Sequence, residues 1–156
     1  MKSLDAKDFQ IIRELQKDAR LTNTDLAARV NLSPTPCLRR VRLLEEAGVI
    51  TGYSANVAPR AYGLTITAFI RISLERHDHH VVQRFEERVR SIEEILDCHL
   101  LTGEADYLLR VMVADLEAYE EFVRSRLHAI PGISSITTSF VYGTVKSSRV
   151  FPRPEG

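Results

Sequence analysis

The chain has 156 residues, 44% of them hydrophobic and 27% charged, with 21 Lys+Arg balanced by 21 Asp+Glu. That apolar content supports one domain or two small ones and excludes wholesale disorder. Two cysteines exclude a disulfide framework. No apolar run is long enough for a membrane span, and Met1-Lys2-Ser3-Leu4-Asp5 has no signal core, so the expectation is a cytoplasmic protein.

The zero net charge conceals an asymmetry. Residues 1–60 hold 10 Lys+Arg and 7 Asp+Glu, a net of +3, and the remainder holds 11 and 14, a net of −3. From Leu26 to Leu44 there are four arginines, Arg29, Arg39, Arg40 and Arg42, and no acid. One half suits a polyanion and the other half suits something else.

The first third reads as three short helices. Asp5 is a plausible N-cap, followed by an apolar stripe of Phe9, Ile11, Ile12 and Leu15. Thr22 with Asp25 resembles a capping box and opens a second helix carrying Leu26, Ala27 and Val30. Asn31 suits the left-handed turn that stops it. Ser33-Pro34 then starts a third helix, with Pro36 still inside its first turn. Leu38, Val41 and Leu44 are expected to face the other helices. That leaves Ser33, Thr35, Arg39, Arg40 and Arg42 as candidate DNA contacts, with Arg40 closest in phase to the partner helix. A short helix, a tight turn and a helix with outward arginines form a helix-turn-helix, whose second element enters the major groove. Arginine suits that role because its planar fork bonds guanine or phosphate bidentately. After Gly48, Val49 to Tyr53 has strand chemistry, as a wing or a linker strand.

From Tyr62 the pattern alternates strand and helix. Thr65–Leu74 reads as a strand, and Asp78 caps a helix with Val81, Val82, Phe85 and Val89 inward. Ile95–Thr102 and Tyr107–Ala114 form a hairpin around Gly103-Glu104-Ala105. Asp115 caps a last helix with Leu116, Tyr119, Phe122, Val123 and Leu127 buried, and Ile133–Val145 closes the domain. The order β-α-β-β-α-β is the ferredoxin-like arrangement, an antiparallel sheet with helices on one face. An uncovered apolar face on the other side implies pairing with a second copy. The fold class is thus α+β: a winged helix-turn-helix domain over 1–50, a linker or wing strand over 51–62, and a ferredoxin-like domain over 63–156.

Both halves resemble the Lrp/AsnC (feast/famine) transcriptional regulators. Leu32-Ser33-Pro34-Thr35-Pro36-Cys37-Leu38 through Arg40-Val41, then Leu43-Leu44-Glu45 through Gly48, Ile50, Gly52 and Tyr53, are similar to the recognition helix and wing of the leucine-responsive branch. Cys98-His99-Leu100 and Thr102-Gly103-Glu104-Ala105-Asp106-Tyr107-Leu108-Leu109 resemble the family's Gly-x-x-Asp-Tyr-Leu-Leu hairpin. The likeness runs from about Leu4 to Pro152. It implies a C-terminal domain of the ACT-like (RAM) type, dimers associating further into octamers or other higher oligomers, and a small amino-acid effector between dimers, with no cofactor. Leucine or another hydrophobic amino acid is the implied effector. Carried over, Gly103 and Asp106 fall at the effector hairpin, Leu101 is an apolar neighbour, and Thr138 to Tyr142 fall near it on the last strand. A Gly-containing turn exposes backbone N–H groups to a carboxylate, and Asp106 accepts from an α-ammonium.

The expected partners are therefore double-stranded DNA, an amino acid and further copies of the chain, with no membrane. A weakly specific, nucleoid-like DNA-organising protein is the alternative. An enzyme is not expected, because no acid/base constellation appears. His77-Asp78-His79-His80 reads as a solvated loop, since its spacing lacks the register of a metal site. Cys37 reads as packed.

Overall fold

The computed structural model describes residues 3–152, which form two compact units. Unit 1 comprises the chain to Asn56 together with the segment from Val145, and unit 2 is Val57–Thr144. The segment from Val145 thus groups with the helical unit, whereas the sequence alone assigns it to the second domain; residues 153–156 of that expected domain lie outside the described residues.

Unit 1 is built on α1 (Ala6–Lys17), α2 (Asn23–Arg29) and α3 (Pro34–Glu46). Each start is specified locally. Asp5 accepts from the N–H groups of Lys7 and Asp8, both at 2.9 Å, and the Asp8 carboxylate reaches back to the Asp5 N–H at 3.2 Å, a complete capping box. Thr22 Oγ1 accepts from the Asp25 N–H at 3.1 Å and donates to the Asp25 carboxylate at 2.6 Å. Here the acid returns to the cap hydroxyl, whereas Asp8 returns to the cap backbone N–H. Asn31 sits at φ 52, the left-handed turn expected of it.

Ile11, Leu26, Ala27, Val30, Cys37 and Leu44 make the core of this unit. On α3 the buried face is Cys37, Val41 and Leu44, while Leu38 is 38% exposed. Spacing of four and three keeps a stripe on one helix face, whereas the expected threefold repeat from Leu38 drifts off it. Beyond Gly48 the expected strand over Val49–Tyr53 does not form a ladder among the described residues. Instead the Tyr53 hydroxyl donates to Glu45 Oε1 at 2.7 Å, and Ile50 packs on the helical core. That anchors the segment to α3 without a partner strand.

Unit 2 contains β1 (Ile66–Leu74), α4 (His79–Arg90), β2 (Ile95–Leu100), β3 (Tyr107–Val113), α5 (Leu116–Phe122, continued by a π turn over Val123–Leu127) and β4 (Ile133–Phe140). All neighbours in the sheet order β2-β3-β1-β4 run antiparallel. Ala68, Ile70, Ile72 and Leu74 alternate with Tyr107, Leu109, Val111 and Val113 beneath Phe85, Val89, Phe122 and Leu127, all buried. Alternation with period two puts these side chains on one face, under both helices. The opposite face is mixed rather than apolar: Phe69, Leu108 and Met112 share it with Arg71 and with Arg110, which pairs with Asp97. Leu116 is 61% exposed because it is the first residue after the Asp115 cap, before the helix turns toward the sheet. Two strands are shorter than expected: β2 stops at Leu100, where the hairpin turn begins, and β4 stops at Phe140.

One glycine is required by packing. Gly132 adopts φ +90 just before β4, and a Cβ there would lie 2.8 Å from Val81 Cγ1 of α4.

Candidate functional site

Two surfaces carry the candidate residues, one in each unit. In unit 1, α3 begins at Pro34 with Ser33 as N-cap, and the Ser33 side chain makes no capping hydrogen bond. Its hydroxyl is left for an external partner beside the first backbone N–H groups of the helix. Thr35, Arg39 and Arg42 are exposed, and among the described residues neither arginine makes an ion pair or a side-chain hydrogen bond. Exposed, unpaired guanidinium groups on one helix are what a phosphate backbone or a guanine edge engages.

Arg40 differs. Its Nη1 lies 2.7 Å from Asp5 Oδ2 and 2.7 Å from Asp8 Oδ1. Asp8 is 5% exposed, so this guanidinium neutralises a buried carboxylate. The Asp5 carboxyl is held below its ordinary range, first by the Asp8 N–H and then by Arg40. The helical phase turns Arg40 toward α1, so that, unlike Arg39 and Arg42, its guanidinium already has partners among the described residues. At the far end of α3, burial and the Glu45 carboxylate push the Tyr53 phenol up to about 12, keeping it a hydrogen-bond donor. Cys37 is buried and its thiol is pushed up by desolvation, as a packed residue should be.

In unit 2 the candidates centre on the β2–β3 hairpin. The Leu101 N–H donates to the Asp106 carbonyl at 2.8 Å, closing a turn in which Gly103 takes φ 124. No atom crowds a Cβ at Gly103, so the glycine is needed for its backbone angle alone. Asp106 is tied at three atoms. Its N–H donates to Ile72 O at 2.9 Å, Oδ2 accepts from the Leu74 N–H at 2.7 Å, and Oδ1 lies 2.7 Å from His77 Nε2. The Leu74 N–H first, and His77 second, hold its carboxyl below the usual range.

Leu101, Gly103 and Asp106 come together; Thr138 and Tyr142 do not join them. Thr138 pairs across from Ile70, and its hydroxyl shares a short hydrogen bond with Tyr119 on the helix side of the sheet. Tyr142 is fully exposed and follows Val141, whose N–H donates to Thr67 O at 2.9 Å. Asp106 meets β1 at Leu74 and Tyr142 meets it beyond Thr67, on the order of 23 Å away at ~3.3 Å per residue. The expectation that Thr138 to Tyr142 lie near the hairpin is corrected within one chain, because antiparallel β4 runs away from it. His77 is the neighbour that sequence reading missed. It lies 29 positions from Asp106, and only the β1–β3 register brings the two together.

The comparisons find a DNA-binding and a ligand-binding part, the second running past Thr144 into the segment that packs with unit 1. Residues 4–51 match the family pattern for a winged helix-turn-helix DNA-binding domain, and residues 67–151 match the Lrp/AsnC ligand-binding domain. The leucine-responsive regulatory protein of Escherichia coli K12 is 43% identical over 147 residues, spanning 94% of this chain and 90% of its own length. A transcriptional regulator from Neisseria meningitidis, solved in complex with L-Met, superposes with TM-score 0.92 at 40% identity, covering 96% of this chain and 97% of its own. An AsnC family transcriptional regulator from Agrobacterium tumefaciens gives TM-score 0.91 at 35% identity over the same shares.

Proposed function

The chain belongs to the Lrp/AsnC family of DNA-binding transcription regulators with an amino-acid-binding domain, and on that premise we propose how its own residues divide the task. The relatives are regulators, not enzymes. In our reading α3 enters the major groove, Arg39 and Arg42 contact bases or phosphates, and Ser33 and Thr35 meet the phosphates at the helix start. Arg40 serves by bracing α3 against α1. The observation that carries this reading is the pair of exposed, unpartnered arginines, Arg39 and Arg42, in a stretch of chain without acids.

The effector is an α-amino acid with a hydrophobic side chain, leucine or one like it. Its carboxylate meets the N–H groups of the turn at Gly103, its ammonium meets Asp106, and Leu101 contacts its side chain. The L-Met complex of the Neisseria relative supports this ligand class. Because Tyr142 lies far from the hairpin of its own chain and the Thr138 hydroxyl is engaged by Tyr119, any part Tyr142 has in the pocket comes from another copy. This supports a homodimer that assembles further, to an octamer or another higher oligomer. Two recognition helices then read half-sites about one or two helical turns apart, and effector binding changes operator affinity by favouring one assembly or domain arrangement.

The test is a gel shift at fixed salt on DNA from upstream of the protein's own coding sequence, against a scrambled duplex of equal length. Preference for the upstream DNA, altered by L-leucine or L-methionine, is the expected result. Equal affinity for both duplexes would leave only weakly specific DNA organisation.

A further inference from the structure

Both carboxylate oxygens of Asp106 have partners within the chain. Its bond from the Leu74 N–H is part of the join between β3 and the end of β1. The bond to His77 is of another kind. It comes from a side chain that is 68% exposed, in the connection between β1 and α4, one residue before the Asp78 cap. His77 Nε2 lies 2.7 Å from Oδ1, the distance of a nitrogen donor to a carboxylate oxygen. An imidazolium and an α-ammonium offer that oxygen the same thing, a cationic N–H.

We propose that His77 is a latch on the effector carboxylate: it fills Asp106 Oδ1 in the empty site, and the α-ammonium of the amino acid displaces it. This rests on the reading of Asp106 as the acceptor for the effector's ammonium. The competition depends on protonation. A charged His77 holds Oδ1 more strongly than a neutral one, so the amino acid is expected to bind more weakly at low pH than at high pH. Displacement also releases the 75–78 connection that leads into α4, giving the bound state a different α4 entry from the empty one.

Other charged groups close by do not supply the same effect. Glu75, Arg76 and His79 on the connection, Glu104 on the hairpin and Arg71 on β1 make no hydrogen bond or ion pair with His77 or Asp106 among the described residues. Asp78 is occupied by the N–H groups of His80 and Val81, and the Tyr107 hydroxyl by Glu86.

Calorimetric titration of the full chain with L-leucine and with L-methionine, at about pH 5.5 and about pH 8, tests the latch. Wild type is expected to bind about two- to fivefold more weakly at the lower pH, the range an exposed ion pair supports. His77→Ala is expected to bind at least as tightly as wild type at the lower pH and to lose the dependence. If His77→Ala binds more weakly than wild type, or keeps the pH dependence, the latch is overturned while the effector reading stands. Wild-type binding of either amino acid that Asp106→Asn leaves untouched would overturn the effector reading and the latch together.

Discussion

The two candidate surfaces treat charge in opposite ways. On α3, Arg39 and Arg42 stand exposed and unpartnered, while at the hairpin Asp106 has both carboxylate oxygens taken. In the reading proposed above, the difference follows from the partners each would meet. DNA brings its own dense array of phosphates and tolerates a site that waits open in water. A single small zwitterion brings one ammonium, and a carboxylate kept ready for it at a sheet end is stabilised meanwhile by donors from its own chain. One site is presented and the other is exchanged.

The largest effects come from breaking the presented site. Arg39→Ala and Arg42→Ala should each lower operator affinity about 10- to 100-fold where the arginine reads a guanine. Where it meets a phosphate, the loss should fall equally on all sequences and reduce the salt slope by about 1; anisotropy titrations across salt concentrations separate the two.

Gly132→Ala tests whether the two surfaces stand on separate supports. Its φ of +90 and a 2.8 Å approach to Val81 should cost about 1–3 kcal/mol. The loss should appear in hydrogen exchange of unit 2 sooner than in that of α1–α3.

Arg40→Met sharpens the contrast within α3 itself. Leaving Asp8 buried without its cation should cost about 1–2 kcal/mol, read by urea unfolding. DNA affinity should drop while the salt slope stays at the wild-type value, because the residue braces the helix and does not touch phosphate. A slope lower by about 1 would return Arg40 to the contact surface.

The smallest effect concerns acid. The Asp106 carboxyl titrates below its unfolded value, so its stabilisation is present above about pH 4 and fades as pH falls through the folded value. Asp106→Asn should therefore show a shallower loss of stability than wild type between about pH 4.5 and pH 2.5.

Most of the fold was legible because it is specified locally. Asp5, Thr22, Asp78 and Asp115 all cap the helices they were expected to cap, and Asn31 and Gly48 end helices at positive φ. What escaped depends on register or on distance along the chain. Leu38 lies on the flank of α3 instead of the core face, because a one-residue change of helical phase separates the two, while Cys37 is packed as expected. Val49–Tyr53 carries strand residues yet has no strand to pair with among the described residues. Arg40 reads like its neighbours until Asp5 and Asp8, more than thirty positions away, claim it. Thr138 and Tyr142 sit close to the hairpin only in a reading that ignores which way β4 runs.

The grouping of the segment from Val145 with unit 1 makes the sensing unit an insertion. Its residues, 57–144, are one uninterrupted piece, whereas the DNA-binding unit is assembled from both ends of the chain. The Phe151 N–H donates to Gln16 Oε1 at 3.3 Å, and Phe151 shares a groove with Ile12, Leu15 and Tyr53. Truncation shortly after β4 would therefore remove packing from the helical unit as well as the last residues of the matched ligand-binding domain. Deleting 57–144 would have to rejoin Asn56 to Val145 to spare the helical unit.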